Sequence, residues 1–374
     1  MGAVNWFRHW LYGLDELTGK LEGIVYKQIP HLGSLLHYIR FFYFFAAPMT
    51  FLVFGPLVLK GNPAVIEIIN NVLIFLKEAF QFNIYESILA LQNIFTYHVK
   101  VLITGFIGFC FVTWAADLFD DYARMDLEKV EKGYSKRYLS PIAKGSVDKG
   151  FVKASVIFLY VLCALSIIFL YVVSRNVSLA ILLIISAIGF SAYTDYYLPK
   201  WLQKRFKSPK KSIEVLFDIL QNYLYLVPAF YASWVIFKPI SEMPLFIHLF
   251  INLIFFATYY AFEYMDWEAD RNTNQWTISN VLSKKTSCYI GFILCFLLIP
   301  FGLIGASSWL HLLIKLFVIL VFWAISCLFL ATFYKKPMRS LHGAYAMLCS
   351  YPVMAVVLFS YHSSEWTQLI SQFL

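Results

Sequence analysis

Asp117, Asp120 and Asp121 stand together at the end of a long apolar run, with Asp126 shortly after them. A second group, Glu263, Asp266 and Asp270, closes another apolar run. Residues four apart share a helix face, so Asp117 pairs with Asp121 and Asp266 with Asp270, while Glu263 extends the second face by one turn. Like charges at this spacing repel, and an Asp at the centre of a lipid-spanning helix costs about 2.5–3.5 kcal/mol. Something positive has to offset such clusters. Facing carboxylate pairs make an oxygen-rich site for Mg2+, which keeps several waters and completes its shell with phosphate oxygens. Two pairs with basic loops beside them therefore point to a metal–diphosphate site, whose central residues are Asp117, Asp121, Asp266 and Asp270. Asp120, Asp126 and Glu263 are further candidate metal ligands. The plainer reading is two solvated helix ends. Against it, both clusters fall on the face of the chain that is otherwise rich in Lys and Arg.

The elements that must carry these residues follow from composition. Of 374 residues, 60% are hydrophobic and 14% charged, whereas a soluble domain carries roughly 25% charged residues. The 37 Phe and 25 Tyr suit lipid-facing helices and interfacial belts. The net charge of +8 reads as an orientation signal and contact with anionic headgroups, with no sign of nucleic-acid binding. Cys110, Cys163, Cys288, Cys295, Cys327 and Cys349 lie in apolar segments without a CxxC pair, so they read as small buried hydrophobes.

A membrane span needs about 20 apolar residues. Nine such runs are present: 38–60, 99–119, 151–174, 178–198, 213–236, 245–265, 286–306, 309–333 and 341–361. They lack the period-two alternation of a barrel, so the fold class is all-α, a polytopic membrane protein of nine transmembrane helices. Residues 1–37 read as a cytoplasmic or interfacial segment without a signal peptide, and 362–374 as a tail. Residues 61–97 contain Glu67, Asn70, Asn71, Lys77 and Glu78 and read as an amphipathic or re-entrant insertion on the outer face. Basic residues gather between spans two and three, between four and five, and after six and eight. By the positive-inside rule the N-terminus is cytoplasmic and the C-terminus outside.

With these residues in place the chain resembles the UbiA-type intramembrane prenyltransferase superfamily, which has nine membrane helices, an NDxxDxxxD motif after helix two and a DxxDxxxD motif after helix six. Glu263, Asp266 and Asp270 match the second motif with Glu for its first Asp. Trp276 to Leu282 is similar to the KT-x-x-V-x-LG tail, without the Lys. In the first motif Asp117 and Asp121 take the Asn and middle Asp positions, and Met125, followed by Asp126, stands at the last. In the other register Asp117 and Asp120 are the two Asp residues and Ala116 replaces the Asn. Ser140 to Val147 looks like the RP-[IL]-x-x-G-x-[IV] element, Tyr193-Thr194 with Pro199 and Lys200 like the YSP…K element, and Arg40 stands where the family often has Arg.

The resemblance covers roughly residues 38–361 and implies a bundle around a central cavity, Mg2+ as cofactor and an isoprenyl diphosphate as substrate. Arg40, Arg137, Lys144, Lys200, Lys204 and Arg271 are the candidates for holding the diphosphate. Tyr193 and Tyr260 are candidates for lining the cavity, where aromatic faces stabilise an allyl cation. Glu214, Asp218 and Asn222 share one face of the fifth span; Asp218 and Asn222 either meet a lipophilic acceptor in that cavity or belong to an interhelical hydrogen-bonding stripe. The implied activity is transfer of the prenyl group to a lipophilic, aromatic acceptor. The alternative is a terpene cyclase of the same fold, for which the altered first motif leaves room. A transporter fits less well, because its charged residues would sit near the midplane. No GxGxxG, P-loop or HExxH motif is present.

Overall fold

The structure is a computed structural model that describes residues 47–59, 62–130, 148–193, 210–265, 267–272, 276–303 and 308–335, with short pieces between 5 and 17. Arg40, Arg137, Lys144, Lys200, Lys204 and Asp266 lie outside the described residues, as does the expected ninth span. The described residues form helices and no strand. These are α1 (Ala47–Val58), α2 (Pro63–Phe80), α3 (Ile84–Ile94), α4 (Tyr97–Val130), α5 (Lys149–Ser174) and α6 (Val177–Tyr193), then α7 (Lys210–Val235), α8 (Leu245–Met265), α9 (Trp267–Asn272), α10 (Lys284–Leu297), α11 (Ile299–Leu303) and α12 (Trp309–Lys335). Five stretches are long and apolar enough to cross a membrane, or six if the bent pair α1–α2 counts as one span. The apolar parts of α6 and α8 are shorter.

Local signals set the helix ends. Asp148 caps α5 by accepting from the Phe151 N–H at 3.0 Å, and Arg175 closes that helix in the left-handed region at φ 52°. Ser283 caps α10 by accepting from the Thr286 N–H at 3.1 Å. Asn62 precedes Pro63 at the start of α2 and accepts from the Ala64 N–H, an arrangement in which the missing proline N–H costs nothing. The most apolar stretch of α5 is only 17% buried. In water that exposure would be untenable; beside acyl chains it is the ordinary state of a membrane helix.

The packing gives the bundle a direction. The Tyr97 hydroxyl at the start of α4 donates to the Ser174 carbonyl at the end of α5, 2.7 Å away. His98 stacks on Phe237 just beyond α7. A short turn then leads from α7 into the start of α8. At the opposite end Lys149, opening α5, lies over the Tyr122 ring of α4. There the Trp276 N–H donates to Glu214 near the start of α7 at 3.2 Å, and the Lys284 ammonium lies over Tyr334 near the end of α12. The carboxyl-terminal parts of α4, α8 and α12 therefore share an end with the beginnings of α5, α7 and α10. Both acidic segments belong to that end.

Helix α7 packs on α1, α6 and α8, and two glycines set its spacing. A Cβ at Gly55 would stand 2.2 Å from the Ser233 carbonyl oxygen, and the Gly55 N–H donates to the Ser233 hydroxyl at 2.6 Å. A Cβ at Gly189 would stand 2.7 Å from the Leu224 backbone carbon. Small residues at such crossings let membrane helices approach closely. Gly291 meets only the end of the Leu330 side chain, at 3.1 Å. Gly55→Ala and Gly189→Ala are each expected to lower stability by about 1–3 kcal/mol, and Gly291→Ala by clearly less. Thermal unfolding of the purified variants in detergent gives the ranking, and equal effects at all three positions would contradict this account of the crossings.

Candidate active site

The first acidic segment lies on α4, in the later part of a continuous helix that runs on past Asp126 to Val130. Its backbone places Asp117 and Asp121 one turn apart on one face. Their side chains, with those of Asp120 and Asp126, lie outside the described residues, as does the side chain of Tyr193 at the end of α6.

The second segment is defined more closely. Glu263, in the last turn of α8, and Asp270, on α9, are each 8% exposed. The segment 276–283 folds back over this end. The Ser279 hydroxyl donates to the Glu263 carbonyl at 2.7 Å, so one of the carbonyls that a helix end leaves unpaired is satisfied. The Thr277 N–H donates to Asn280 Oδ1 at 3.0 Å. Ser279 and Asn280 are fully buried. Trp267 Nε1 donates to the Leu282 carbonyl at 3.2 Å, and Lys284 pairs with Glu268. Arg271 lies between two indoles, 5.2 Å from the ring centroid of Trp267 and 4.9 Å from that of Trp276. It is solvent-exposed, so its charge faces water at the bundle end while cation–π contact holds it beside the two rings.

Asp218 and Asn222 sit one turn apart on α7. The Tyr259 hydroxyl of α8 donates to Asp218, Asn222 Nδ2 donates to Asp218 Oδ1 at 3.2 Å, and the Ile278 backbone N–H lies against the same carboxylate. Glu214, one turn earlier, accepts from Trp276. The polar face of α7 thus ties α8 and the 276–283 segment together. A second polar chain continues towards the far end: Tyr223 donates to Asn252 Oδ1 at 2.9 Å, Asn252 donates to the His248 carbonyl at 2.7 Å, and Tyr231 meets His248 Nδ1 at 3.0 Å. Tyr260 is buried on α8, one turn before Tyr264.

The sequence marked Trp276 to Leu282 as a motif-like segment and Tyr259 as one of several tyrosines that could line a cavity. It gave no sign of the Tyr259–Asp218 hydrogen bond, of the Ser279 contact with the end of α8, or of the two indoles beside Arg271. Among the described residues no three His, Cys, Asp or Glu gather into a metal-binding group. The side chains of Asp117, Asp120, Asp121, Asp126 and Asp266 lie outside that described set.

If Asp218 is a structural crosslink, Tyr259→Phe should cost about 1–3 kcal/mol, because a buried carboxylate loses a donor. In Tyr259→Phe/Asp218→Asn the two effects should add to less than their sum. Thermal unfolding of the singles and the double measures this, and strict additivity would show that the two side chains act independently.

The family model for the UbiA prenyltransferase family matches residues 87–350, well over half of the chain. No curated protein matches the sequence. Solved structures to which the chain shows similarity include a UbiA homologue from Archaeoglobus fulgidus bound to DMAPP and Mg2+, 16% identical with a TM-score of 0.43 over 70% of this chain and 88% of that one. The same homologue bound to GPP and Mg2+ is 15% identical, with a TM-score of 0.44 over 71% and 88%. A structure of digeranylgeranylglyceryl phosphate synthase is 14% identical, with a TM-score of 0.43 over 84% and 99%. On the strength of the family match, with its all-helical fold and apolar spans, this chain is an integral membrane protein that belongs to the UbiA prenyltransferase family.

Proposed function

We propose that this protein is an Mg2+-dependent intramembrane prenyltransferase, which takes an isoprenyl diphosphate at the acidic end of its bundle and transfers the prenyl group to a lipophilic, aromatic acceptor. The observation that supports this reading is that two acidic segments, about 150 residues apart in sequence, lie towards the same end of an apolar bundle. The donors there are carboxylates, with no thiol or imidazole among the candidates, and oxygen donors suit a hard cation such as Mg2+. Glu263, Asp266 and Asp270 would hold it from one side, and Asp117, Asp121, Asp120 and Asp126 from the other. When bound, the ion supplies positive charge against the leaving diphosphate.

The chain's own residues do the rest. Arg40, Arg137, Lys144, Lys200 and Lys204 are the candidates to orient the diphosphate. Arg271 adds a cation already seated beside two indoles. The apolar interior keeps water from the allyl cation that forms as the carbon–oxygen bond breaks. Tyr193 and Tyr260 would face that cation with aromatic rings. A ring carbon of the acceptor then attacks: a carbon–carbon bond forms, the diphosphate departs with the electron pair of the broken carbon–oxygen bond, and the ring carbon gives up its proton to the released diphosphate to restore aromaticity. We read the acidic end as cytoplasmic, with the N-terminus inside and the C-terminus outside, because basic segments flank it in the sequence.

Asp117 in the Asn position of the first motif supports a second reading, in which the cation closes on its own double bonds to give a cyclic terpene. Both readings need the same carboxylates. Diphosphate release should therefore require Mg2+, stop with a chelator, and fall at least about 100-fold in Asp121→Ala and in Asp270→Ala, while size-exclusion and unfolding profiles stay unchanged. Undiminished release by either variant would remove the proposed site. Turnover only on addition of an aromatic acceptor supports the transferase, and a cyclic hydrocarbon or alcohol without acceptor supports the cyclase.

A further inference from the structure

The hairpin of α2 and α3 sits at the end of the bundle away from the acidic segments. Helix α2 turns 107° from α1, so it runs across that end, and its first turns seat Val65, Ile68 and Ile69 on the core. Polar groups within the hairpin hold its shape. Asn83 accepts from the Glu86 N–H at 3.4 Å and donates to Glu78 at 3.3 Å, while Asn71 donates to the Asn93 carbonyl at 2.9 Å.

What this shape presents outward is inverted for a helix in water. Helix α3 buries only Ala90. Ile84, Ile88, Leu91 and Phe95 follow the spacing of one helical face, and they are 40–75% exposed. Glu86 and Asn93 lie on the opposite side of that helix. At the turn Phe80 and Phe82 are 81% and 89% exposed. Phe82 has φ 56°, a conformation that Gly or Asn adopts readily and a bulky residue does not. Neither backbone preference nor internal packing accounts for a phenylalanine there, which leaves contact with something outside the chain.

We propose that the α2–α3 hairpin is a membrane-interface anchor. The stripe of α3 and the phenylalanine turn lie in the acyl-chain edge of the leaflet at the far end from the acidic site, and Glu86 faces headgroups and water. Continuity selects lipid as the occupant. Helix α3 passes through two residues into α4, whose exposed Ile103 and Ile107 begin the lipid-facing surface. Phe80, Phe82, Tyr85, Phe95 and Tyr97 have the composition of an interfacial aromatic belt. A helix lying across the bundle axis with one apolar face is the geometry of an in-plane amphipathic anchor.

The test uses the full-length protein in phosphatidylcholine vesicles, with a nitroxide on Phe82→Cys or, separately, on Glu86→Cys, and the parent protein treated identically as background. Power-saturation electron paramagnetic resonance then compares access by oxygen, which partitions into lipid, with access by a water-soluble nickel chelate. The anchor predicts that oxygen access exceeds chelate access several-fold at position 82, with the order reversed at 86. Equal chelate access at both positions would put the hairpin in water and overturn the proposal. So would a label at 82 that neither reagent reaches, meaning that protein covers it, or spin–spin broadening there, meaning a second copy. If Phe82→Cys unfolds, Ile88→Cys gives the same reading from within the stripe.

Discussion

Placing a carboxylate at the middle of a membrane-spanning helix costs about 2.5–3.5 kcal/mol, and the bundle handles its acidic residues in two ways. Asp218 lies within the apolar bundle, held by Tyr259, Asn222 and the Ile278 amide. Glu263 and Asp270 are just as buried but sit where the bundle ends. Glu263 occupies the last turn of α8, where the helix's own carbonyls already present partial negative charge. An acid there works against the dipole as well as against lipid. A cation bound at that end relieves both, which is the physical content of reading the end as a metal–diphosphate site.

Helix α7 makes that arrangement rigid. On one side it approaches α1 and α6 so closely that Gly55 and Gly189 admit no side chain. On another its polar face holds α8 and the 276–283 segment through Asp218 and Glu214. Packing without a hydrophobic driving force between helices depends on such close approach and hydrogen bonding. The two mechanisms meet on one helix, so the second acidic segment is braced against the same element that fixes the bundle's core.

The helices were legible in the sequence because an uncharged apolar run of about 20 residues suits a membrane span and little else: helices stand at the described parts of the first eight of the nine positions so marked, and five stretches, or six with the bent α1–α2 pair, are long and apolar enough to cross. The polar face of α7 was legible as a face. Its partners were not, since periodicity says which residues share a side but not which neighbour that side meets. Arg271 shows the same limit: its charge suggested a diphosphate contact, while the two indoles that hold it come from either side of a fold-back that no spacing rule encodes. The polar residues of 61–97 marked that stretch as an amphipathic or re-entrant insertion and not a further span. Its division into two helices with an outward apolar stripe depends on Asn83, whose cap becomes visible only once the turn is formed.

Catalysis by charge gains most from groups that need not reorganise when charge develops. Ser279 holds the backbone of Glu263, Trp267 is tied to Leu282, and Trp267 and Trp276 both lie against Arg271. These contacts are made by the chain with itself, so they exist before any diphosphate arrives. The fold-back of 276–283 therefore does more than close the end of α8. It ties a buried carboxylate helix end and a guanidinium into one frame, and in the proposed reaction that frame would stand before the diphosphate leaves.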